Sequence, residues 1–226
     1  MVQATSEVAS IEDMAALLAS GQPFSWVRYG DGEWFLVLGR RTHTHSRSQV
    51  FTEDLRNSIR ETVRDHHGKI MAIQNEPYLR KNHLYRPIQD WLRANDVRID
   101  WQPGDILHRA SAAGTLAPFV RALGHPVFVG PAHFARLPIR GDLLEVQPKD
   151  CWERVDQIEA EIRAFCTGRT VCISAGPTAK ILIHRLRGED MQLIDCGSLW
   201  DVFCGKPSRQ YQRAMKPQTI ERNLRA

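Results

Sequence analysis

The sequence predicts an α/β protein with a mostly parallel β-sheet that helices cover on both faces. One pattern in the sequence supports this fold class, and the length of the chain agrees with it. Short apolar segments rich in β-branched and aromatic residues alternate along the chain with longer segments of helical spacing. Parallel strands need crossover connections of this kind, and helices in those crossovers cover the sheet. The length of 226 residues is enough for one core of this type.

The first half of the chain alternates in this way, with irregular spacing. A predicted helix over residues 11–20 ends at Gly21, and a buried strand follows over residues 24–29. Thr52 is a predicted N-cap, because acidic residues fill the turn after it. The remaining predicted elements are a helix at 52–65, a strand at 69–73, and helices at 87–94 and 110–123.

The second half is more regular. A predicted amphipathic helix over residues 150–165 places Trp152, Ile158 and Ile162 on one face. Pro177 suits the first position of a helix over residues 177–186. The other predicted elements are a short helix at 131–137 and strands at 126–129, 143–146, 169–174 and 191–195.

The composition is that of a globular protein and argues against a membrane or secreted protein. Hydrophobic residues make up 42% and charged residues 25% of the chain. No apolar run approaches the roughly 20 residues of a membrane helix, and the first residues do not resemble a secretory signal. We therefore expect a cytoplasmic location. The five cysteines include no C-x-x-C pair, which indicates reduced structural cysteines.

The positive charge is concentrated at the end of the chain. Residues 205–226 carry six lysine and arginine side chains against a single acid, Glu221. We expect one domain over residues 1–204 and a basic C-terminal tail over residues 205–226. A solvated terminus is the favoured interpretation of the tail. The alternative is an arm that meets an anionic acceptor or a membrane surface.

The most informative local feature is the run Arg28-Tyr29-Gly30-Asp31-Gly32-Glu33 at the end of the first predicted strand. Carboxylates separated by one residue can converge on Mg²⁺ or Mn²⁺, which prefer oxygen ligands. Gly30 and Gly32 would let the backbone approach a ligand, and Arg28 could contact a phosphate. The alternative is a hairpin turn, because Asp-Gly between apolar runs is a strong signal for one.

A second feature joins a predicted strand to a helix at Gly176, Pro177 and Thr178. The glycine allows a sharp turn, and the first N–H groups of the helix would favour an anion. Asp195 ends the next predicted strand, at the offset where an acid often holds a ribose hydroxyl. The alternative is an ordinary strand–helix turn followed by an acidic loop residue.

Four motifs resemble those of the GT-D-fold glycosyltransferases, catalogued as DUF1792, and they follow one another along the chain in the same order as in that family. Residues 27–33 resemble the "RFGDGE" signature of that family, and residues 174–179 resemble its "LGPTA" turn. Residues 128–131 resemble its strand ending in Gly-Pro, and residues 193–198 resemble its "AIDIGH" strand end. The resemblance spans about residues 24–203, and also includes a proline-containing lead into a long helix at residues 148–152.

The resemblance implies a Rossmann-like fold that transfers a sugar from a UDP-sugar donor. It implies that Asp31 and Glu33 bind a divalent metal, Mn²⁺ or Mg²⁺, at the donor diphosphate. Ser198 replaces the family histidine, and residues 199–203 depart from the acidic-aromatic run of the family. This end of the site is therefore expected to differ in acceptor or sugar.

An inverting reaction would need a general base for the acceptor hydroxyl, and Asp201 and Asp195 are the candidates. The sequence does not identify the acceptor, which could be a glycan, a glycoprotein, a lipid or a modified nucleic acid. Two other functions stay open. One is a metal-dependent phosphohydrolase with the same nucleotide site. The other is a nucleic-acid-binding module that uses the basic tail, although no binding motif accompanies that charge.

Overall fold

The computed structural model describes residues 7–40 and 50–225. In these residues, seven parallel strands form one sheet in the order β3-β2-β1-β7-β6-β4-β5. The predicted fold class is therefore confirmed. The strands are β1 Phe24–Tyr29, β2 Ile70–Ile73, β3 Gln102–Pro103, β4 Val127–Gly130, β5 Asp142–Glu145, β6 Thr170–Ile173 and β7 Gln192–Asp195.

Helices connect and cover these strands. The α-helices are α1 Ile11–Ala19, α2 Asp31–Val37, α3 Glu53–Arg64, α4 Glu76–Lys81, α5 Tyr85–Ala94, α6 Ile106–Ala113, α7 Ala117–Ala122, α8 Val155–Phe165, α9 Thr178–Leu186, α10 Gln210–Arg213 and α11 Pro217–Leu224. Short 3₁₀ helices span Ala132–Arg136, Cys151–Arg154 and Leu199–Cys204. The helix predicted at 110–123 is in fact two helices, because Gly114 adopts a left-handed conformation (φ 76°) that ends α6.

Two hydrophobic cores lie on opposite faces of the sheet. Strand β1 is buried along its whole length and divides its side chains between them. Trp26 packs into the core that also contains α1, α6 and α7, whereas Val27 and Tyr29 pack into the core that contains α3, α8 and α9. This two-sided burial is typical of the central strands of a parallel sheet.

Strands β1 and β7 are neighbours, but the chain leaves them on opposite faces. After β1 it enters α2 and α3, which pack in the layer of α9. After β7 it enters the 3₁₀ helix Leu199–Cys204, which packs against α6 in the other layer. A crevice therefore opens at the carboxyl ends of β1 and β7. In open α/β sheets, ligands bind at such a switch point.

The C-terminal segment, residues 205–225, is part of the packed structure rather than a solvated terminus. Helix α11 packs on α6 and α7, and its Asn223 is fully buried. The Asn223 amide accepts from the Leu116 N–H at 3.0 Å and donates to the Ser111 carbonyl at 2.8 Å. The count of basic residues was misleading, because it says nothing about the buried polar and apolar face of this segment.

No helix in the described ranges is long and apolar enough to cross a membrane. All five cysteines are buried and free, as the sequence indicates.

Candidate nucleotide-binding site

The run from Gly30 to Glu33 starts helix α2 and does not form a hairpin turn. Gly30 is the N-cap, and the buried Glu33 carboxylate accepts the Gly30 N–H at 2.9 Å. The third helical position is where glutamate commonly returns to the N-cap backbone. Glu33 therefore fixes the loop that leaves β1, and acids in this first turn also suit the helix dipole.

Asp31, the first residue of α2, lies at the surface of the crevice. Its side chain is half-buried, and Oδ2 accepts the Tyr78 hydroxyl at 3.2 Å. Burial and the Asp31 carboxylate together raise the pKa of Tyr78, so this phenol remains a donor to Asp31. Oδ1 of Asp31 accepts the N–H of Gly32, which is buried in the first turn.

Lys180 on α9 connects the ends of three strands. Its Nζ lies 2.9 Å from Oε1 of Glu33 and 2.9 Å from Oδ2 of Asp195, and the whole residue is 1% exposed. Nζ also donates to the Gly176 carbonyl at 3.4 Å. One buried cation therefore compensates two buried carboxylates, which would be costly to bury unpaired.

Asp195 at the end of β7 has no exposed surface. Besides Lys180, its carboxylate accepts the backbone N–H groups of Arg28 at 3.3 Å and Gly197 at 3.1 Å. The residue thus ties β1 to the loop after β7. In this conformation the Asp195 carboxylate is not available to a ribose hydroxyl or to an acceptor.

The turn at Gly176 lies between β6 and α9, as predicted. Gly176 is exposed and left-handed (φ 58°), and a Cβ added there would meet nothing within 4 Å. Glycine is therefore required by the backbone angle, while the space above the turn is open. Pro177 and Thr178 are buried, and the Thr178 hydroxyl has no hydrogen-bond partner among the described residues.

Arg28 is the buried cation on the crevice side of β1. The residue is 8% exposed, and its Nη2 would lie 2.3 Å from a Cβ built on Gly197. Gly197 is left-handed as well (φ 53°), so only glycine leaves room for this guanidinium. Within residues 7–40 and 50–225, the Arg28 side chain makes no ion pair and donates no hydrogen bond.

Three further side chains at this crevice were not predicted. Arg209 donates from Nε to the Ser198 hydroxyl at 3.0 Å. The rings of His108 and Tyr211 lie 5.6 Å apart, and Nε2 of His108 has no hydrogen-bond partner in the described structure. Burial and the charges of Arg28, Arg209 and Lys180 lower the pKa of His108 well below its usual value, which keeps this imidazole neutral.

Asp201 lies at the other end of the crevice in a pair with His133. Oδ1 of Asp201 is 3.2 Å from Nε2 of His133, and each side chain is 16% exposed. His133 follows the Gly-Pro end of β4, and Asp201 lies in the 3₁₀ helix after β7. Burial is the main cause that raises the pKa of Tyr211, and the Asp201 charge adds to it.

The predicted site residues therefore divide into two groups. Asp31, Asp201 and Gly176 are exposed or partly exposed at the crevice, whereas the others are buried: Arg28, Gly30, Gly32, Glu33, Pro177, Thr178 and Asp195. Across the described residues, no group of three or more His, Cys, Asp or Glu side chains is placed to hold a metal. Any cation at Asp31 would need ligands from its substrate.

The sequence contained a signal for Lys180 that spacing alone did not use. A lysine stands inside the apolar pattern of α9, where residues 178–183 are all buried. Lysine is rarely fully buried unless it is paired. The signal for Arg209 was weaker, because nothing in a basic segment distinguishes one arginine from the next.

Comparison with solved structures finds the same fold in two glycosyltransferase-fold proteins. One is described as the highly conserved domain of unknown function 1792 with a distinct glycosyltransferase fold. It matches with a TM-score of 0.66 and 18% identity over 85% of this chain and 78% of that one. The other, described as a new glycosyltransferase (DUF1792) from Streptococcus sanguinis, matches with a TM-score of 0.66 and 18% identity. The match covers 90% of this chain and 87% of that chain.

No protein-family model and no curated protein sequence matches the chain. The fold predicted from the four motifs is thus confirmed by structure, at an identity that shows the fold alone.

Proposed function

We propose that this chain, which has the fold of the DUF1792 glycosyltransferases, transfers a sugar from a nucleotide-sugar donor to a hydroxyl acceptor. The observation that carries the proposal is the crevice at the carboxyl ends of β1 and β7. Asp31, the uncompensated Arg28 and the open turn at Gly176 converge there. A carboxylate, a guanidinium and a helix start are the groups that recognise a metal–diphosphate.

The residues present fit a divalent cation at Asp31. Mg²⁺ and similar hard ions are commonly held by one or two carboxylates together with substrate phosphates, so a cage of protein ligands is not required. Asp31 supplies an oxygen at the crevice, and Tyr78 orients it. Glu33 supports this arrangement from below, because its carboxylate holds the Gly30 N–H and Lys180. Its predicted role as a second direct ligand to Mn²⁺ or Mg²⁺ stays a prediction.

The chemistry of transfer explains why positive charge is needed here. As the bond from the sugar to the diphosphate breaks, negative charge develops on the leaving nucleoside diphosphate. A bound cation would supply Lewis-acid stabilisation of that charge. Arg28 adds a fixed guanidinium in a mostly dehydrated position, where electrostatic interactions are stronger than in water. A UDP-sugar is the donor that the resemblance implies.

The acceptor hydroxyl needs a proton acceptor if the reaction inverts, and Asp201 is the one that we propose. Asp195, the other candidate, is fully buried and shared by Lys180 and two backbone N–H groups. Asp201 is partly exposed and paired with His133. The carboxylate can take the proton, or it can hold His133 in the orientation to do so.

The two alternative functions make different predictions at the same crevice. A phosphohydrolase would release phosphate from a nucleotide and would not need a sugar acceptor. A nucleic-acid module would bind through exposed basic residues, and those of the C-terminal segment are exposed, but the segment is folded and Arg209 is hydrogen-bonded to Ser198. The acceptor class and the cytoplasmic location stay predictions.

A thermal-shift screen of nucleotide sugars, with and without Mn²⁺, tests the proposal directly. A ligand that binds only the folded state must raise its apparent stability. We expect stabilisation by UDP or a UDP-sugar that depends on Mn²⁺, followed by transfer of sugar without release of inorganic phosphate. A folded protein that is stabilised by no nucleotide sugar, with or without the metal, would remove the donor assignment.

A further inference from the structure

Two arginines meet across the loop that follows β7. The Arg28 guanidinium lies against Gly197, and the Arg209 guanidinium is hydrogen-bonded to Ser198, the next residue. Arg28 comes from β1, near the start of the chain, whereas Arg209 comes from the C-terminal segment. Consecutive residues of one loop thus hold two positive charges at the crevice.

Neither charge is neutralised within the described residues. The ion pairs of the described structure include Lys180 with Glu33 and Asp195, but none that involves Arg28 or Arg209. Both guanidinium charges add to the lowering of the His108 pKa that burial causes, and both oppose the raising of the Tyr78 pKa, so both lie near these two side chains. Arg28 is buried, and a buried guanidinium without an acceptor is costly unless an anion binds it, whereas Arg209 is exposed and adds its charge from the surface.

No acid described in the crevice is placed to neutralise Arg28 and Arg209, which favours an external anion there. His108 is neutral and packs on Tyr211, and Nε2 of His108 has no hydrogen-bond partner in the described ranges. The acids of the crevice are engaged elsewhere, since Asp195 and Glu33 hold Lys180 and Asp31 holds the Tyr78 hydroxyl. Two forked donors side by side match the several oxygens of a phosphate or diphosphate.

We infer that Arg28 and Arg209 form a clamp for the phosphates of the nucleotide donor, which the C-terminal segment closes over the Gly197–Ser198 loop. The inference rests on the proposed function and extends it to a segment that the sequence showed only as basic. Gln212 keeps the segment in place, because its side chain accepts the Ser208 and Arg209 N–H groups and donates to the Ser198 carbonyl at 2.6 Å. Arg209 is therefore fixed at the crevice before any ligand arrives.

Titration calorimetry of the full chain with three probes tests the clamp. The probes are UDP, inorganic pyrophosphate and uridine, each with Mn²⁺ present. We expect Arg209→Gln to weaken the binding of UDP and of pyrophosphate by about 10- to 100-fold, because each ligand loses a hydrogen bond to a charged group. Uridine should bind both proteins equally, since it carries no phosphate. Arg28→Gln should behave in the same way.

Arg213→Ala is the matched control. Arg213 lies on the same segment, and among the described residues its side chain donates hydrogen bonds only to the carbonyls of Pro207 and Ser208. It should bind all three probes as the unaltered chain does, and circular dichroism should show that each variant is folded. If Arg209→Gln unfolds the protein, Arg209→Lys must weaken pyrophosphate, because a lysine keeps the charge but loses the fork.

The outcomes separate the clamp from the donor assignment. If pyrophosphate binding depends on Arg209 and UDP binds no more tightly than pyrophosphate, the phosphate clamp would stand but the assignment of a nucleotide donor would be wrong. Equal binding of UDP and pyrophosphate by Arg209→Gln and the unaltered chain, or no binding of either probe, would overturn it altogether.

Discussion

Two buried lysines, one at each edge of the sheet, are held in opposite ways. Lys180 lies at the carboxyl ends of the strands, 2.9 Å from each of two carboxylates. Lys69 lies just before β2, at the amino ends, and its Nζ contacts two backbone carbonyls and Nδ1 of His184 at 2.6–2.8 Å. Both residues are at most 5% exposed. The first lysine is paired with charge and the second with neutral groups.

The difference in partners gives a difference in charge state. Burial, helped by the nearby charge of Arg187, lowers the pKa of Lys69 to about 7. Burial and Lys69 together lower the pKa of His184 to about 4. At the amino ends of the strands, burial therefore favours the neutral forms of Lys69 and His184, whereas at the carboxyl ends Lys180 lies between the carboxylates of Glu33 and Asp195. The charged edge is the one that borders the proposed donor site.

The largest expected effect follows from removing the paired lysine. Lys180→Met should lower the free energy of unfolding by about 3–5 kcal/mol, because it leaves two buried carboxylates without a cation. Urea unfolding at neutral pH would measure this. The matched control is Lys69→Met, which removes a lysine that burial already makes partly neutral and should cost about 1 kcal/mol.

A second substitution in the Lys180→Met background sharpens that comparison. Glu33→Gln removes one of the two stranded negative charges, so it should recover part of the lost stability. In the unaltered chain the same change should be destabilising. Additive effects of the two substitutions would show that Lys180 and Glu33 are not coupled.

A smaller effect is expected in the dependence of stability on pH. The folded pKa of His184, about 4, lies below its unfolded value of 6.5, so the unfolded chain binds the proton first as pH falls. The free energy of unfolding should therefore decrease as the pH falls from about 6.5 to 4. Lys69 should likewise decrease it as the pH falls from about 10.5 to 7. His184→Gln should flatten the acidic slope, and an unchanged slope would show that other groups cause it.

The smallest effect concerns the support of Asp31. Tyr78→Phe removes one hydrogen bond to the Asp31 carboxylate and leaves the ring in place. We expect UDP binding in the presence of Mn²⁺ to weaken by about three- to tenfold, with little change in stability. Tyr85→Phe on the neighbouring helix α5 is the control. Equal losses in both variants would mean that Tyr78 does not act through Asp31.

The strands were predictable because their signal is local. The prediction for β1 has the bounds that the structure gives, and β2, β4, β6 and β7 differ by a residue or so. Strand β3 was missed, since two residues carry no pattern. Helix α2 was missed because its start reads equally well as a turn. The helix at 110–123 failed at Gly114, where one backbone angle outweighs the apolar spacing.

The site was predictable where one loop carries it and not where distant segments meet. Arg28 lies near the carboxyl end of β1, and Asp31 and Gly176 each follow a strand, so their sequence positions already point to the crevice. The pairing of Lys180 with Glu33 and Asp195 joins three elements, and Arg209 arrives from the end of the chain. Only the order of strands in the sheet brings these residues together, and spacing along the sequence does not contain that order.

The central claim is that the crevice between β1 and β7 binds a nucleotide donor through Asp31. Titration calorimetry with UDP, with and without Mn²⁺, tests it on the unaltered chain, on Asp31→Asn and on Asp54→Asn as a surface control. We predict that Mn²⁺ increases the affinity of the unaltered chain and of Asp54→Asn for UDP. In Asp31→Asn, this Mn²⁺-dependent increase in affinity should be at least about tenfold smaller. Equal Mn²⁺-dependent binding by all three proteins would contradict the account, as would no binding at millimolar UDP by a folded chain.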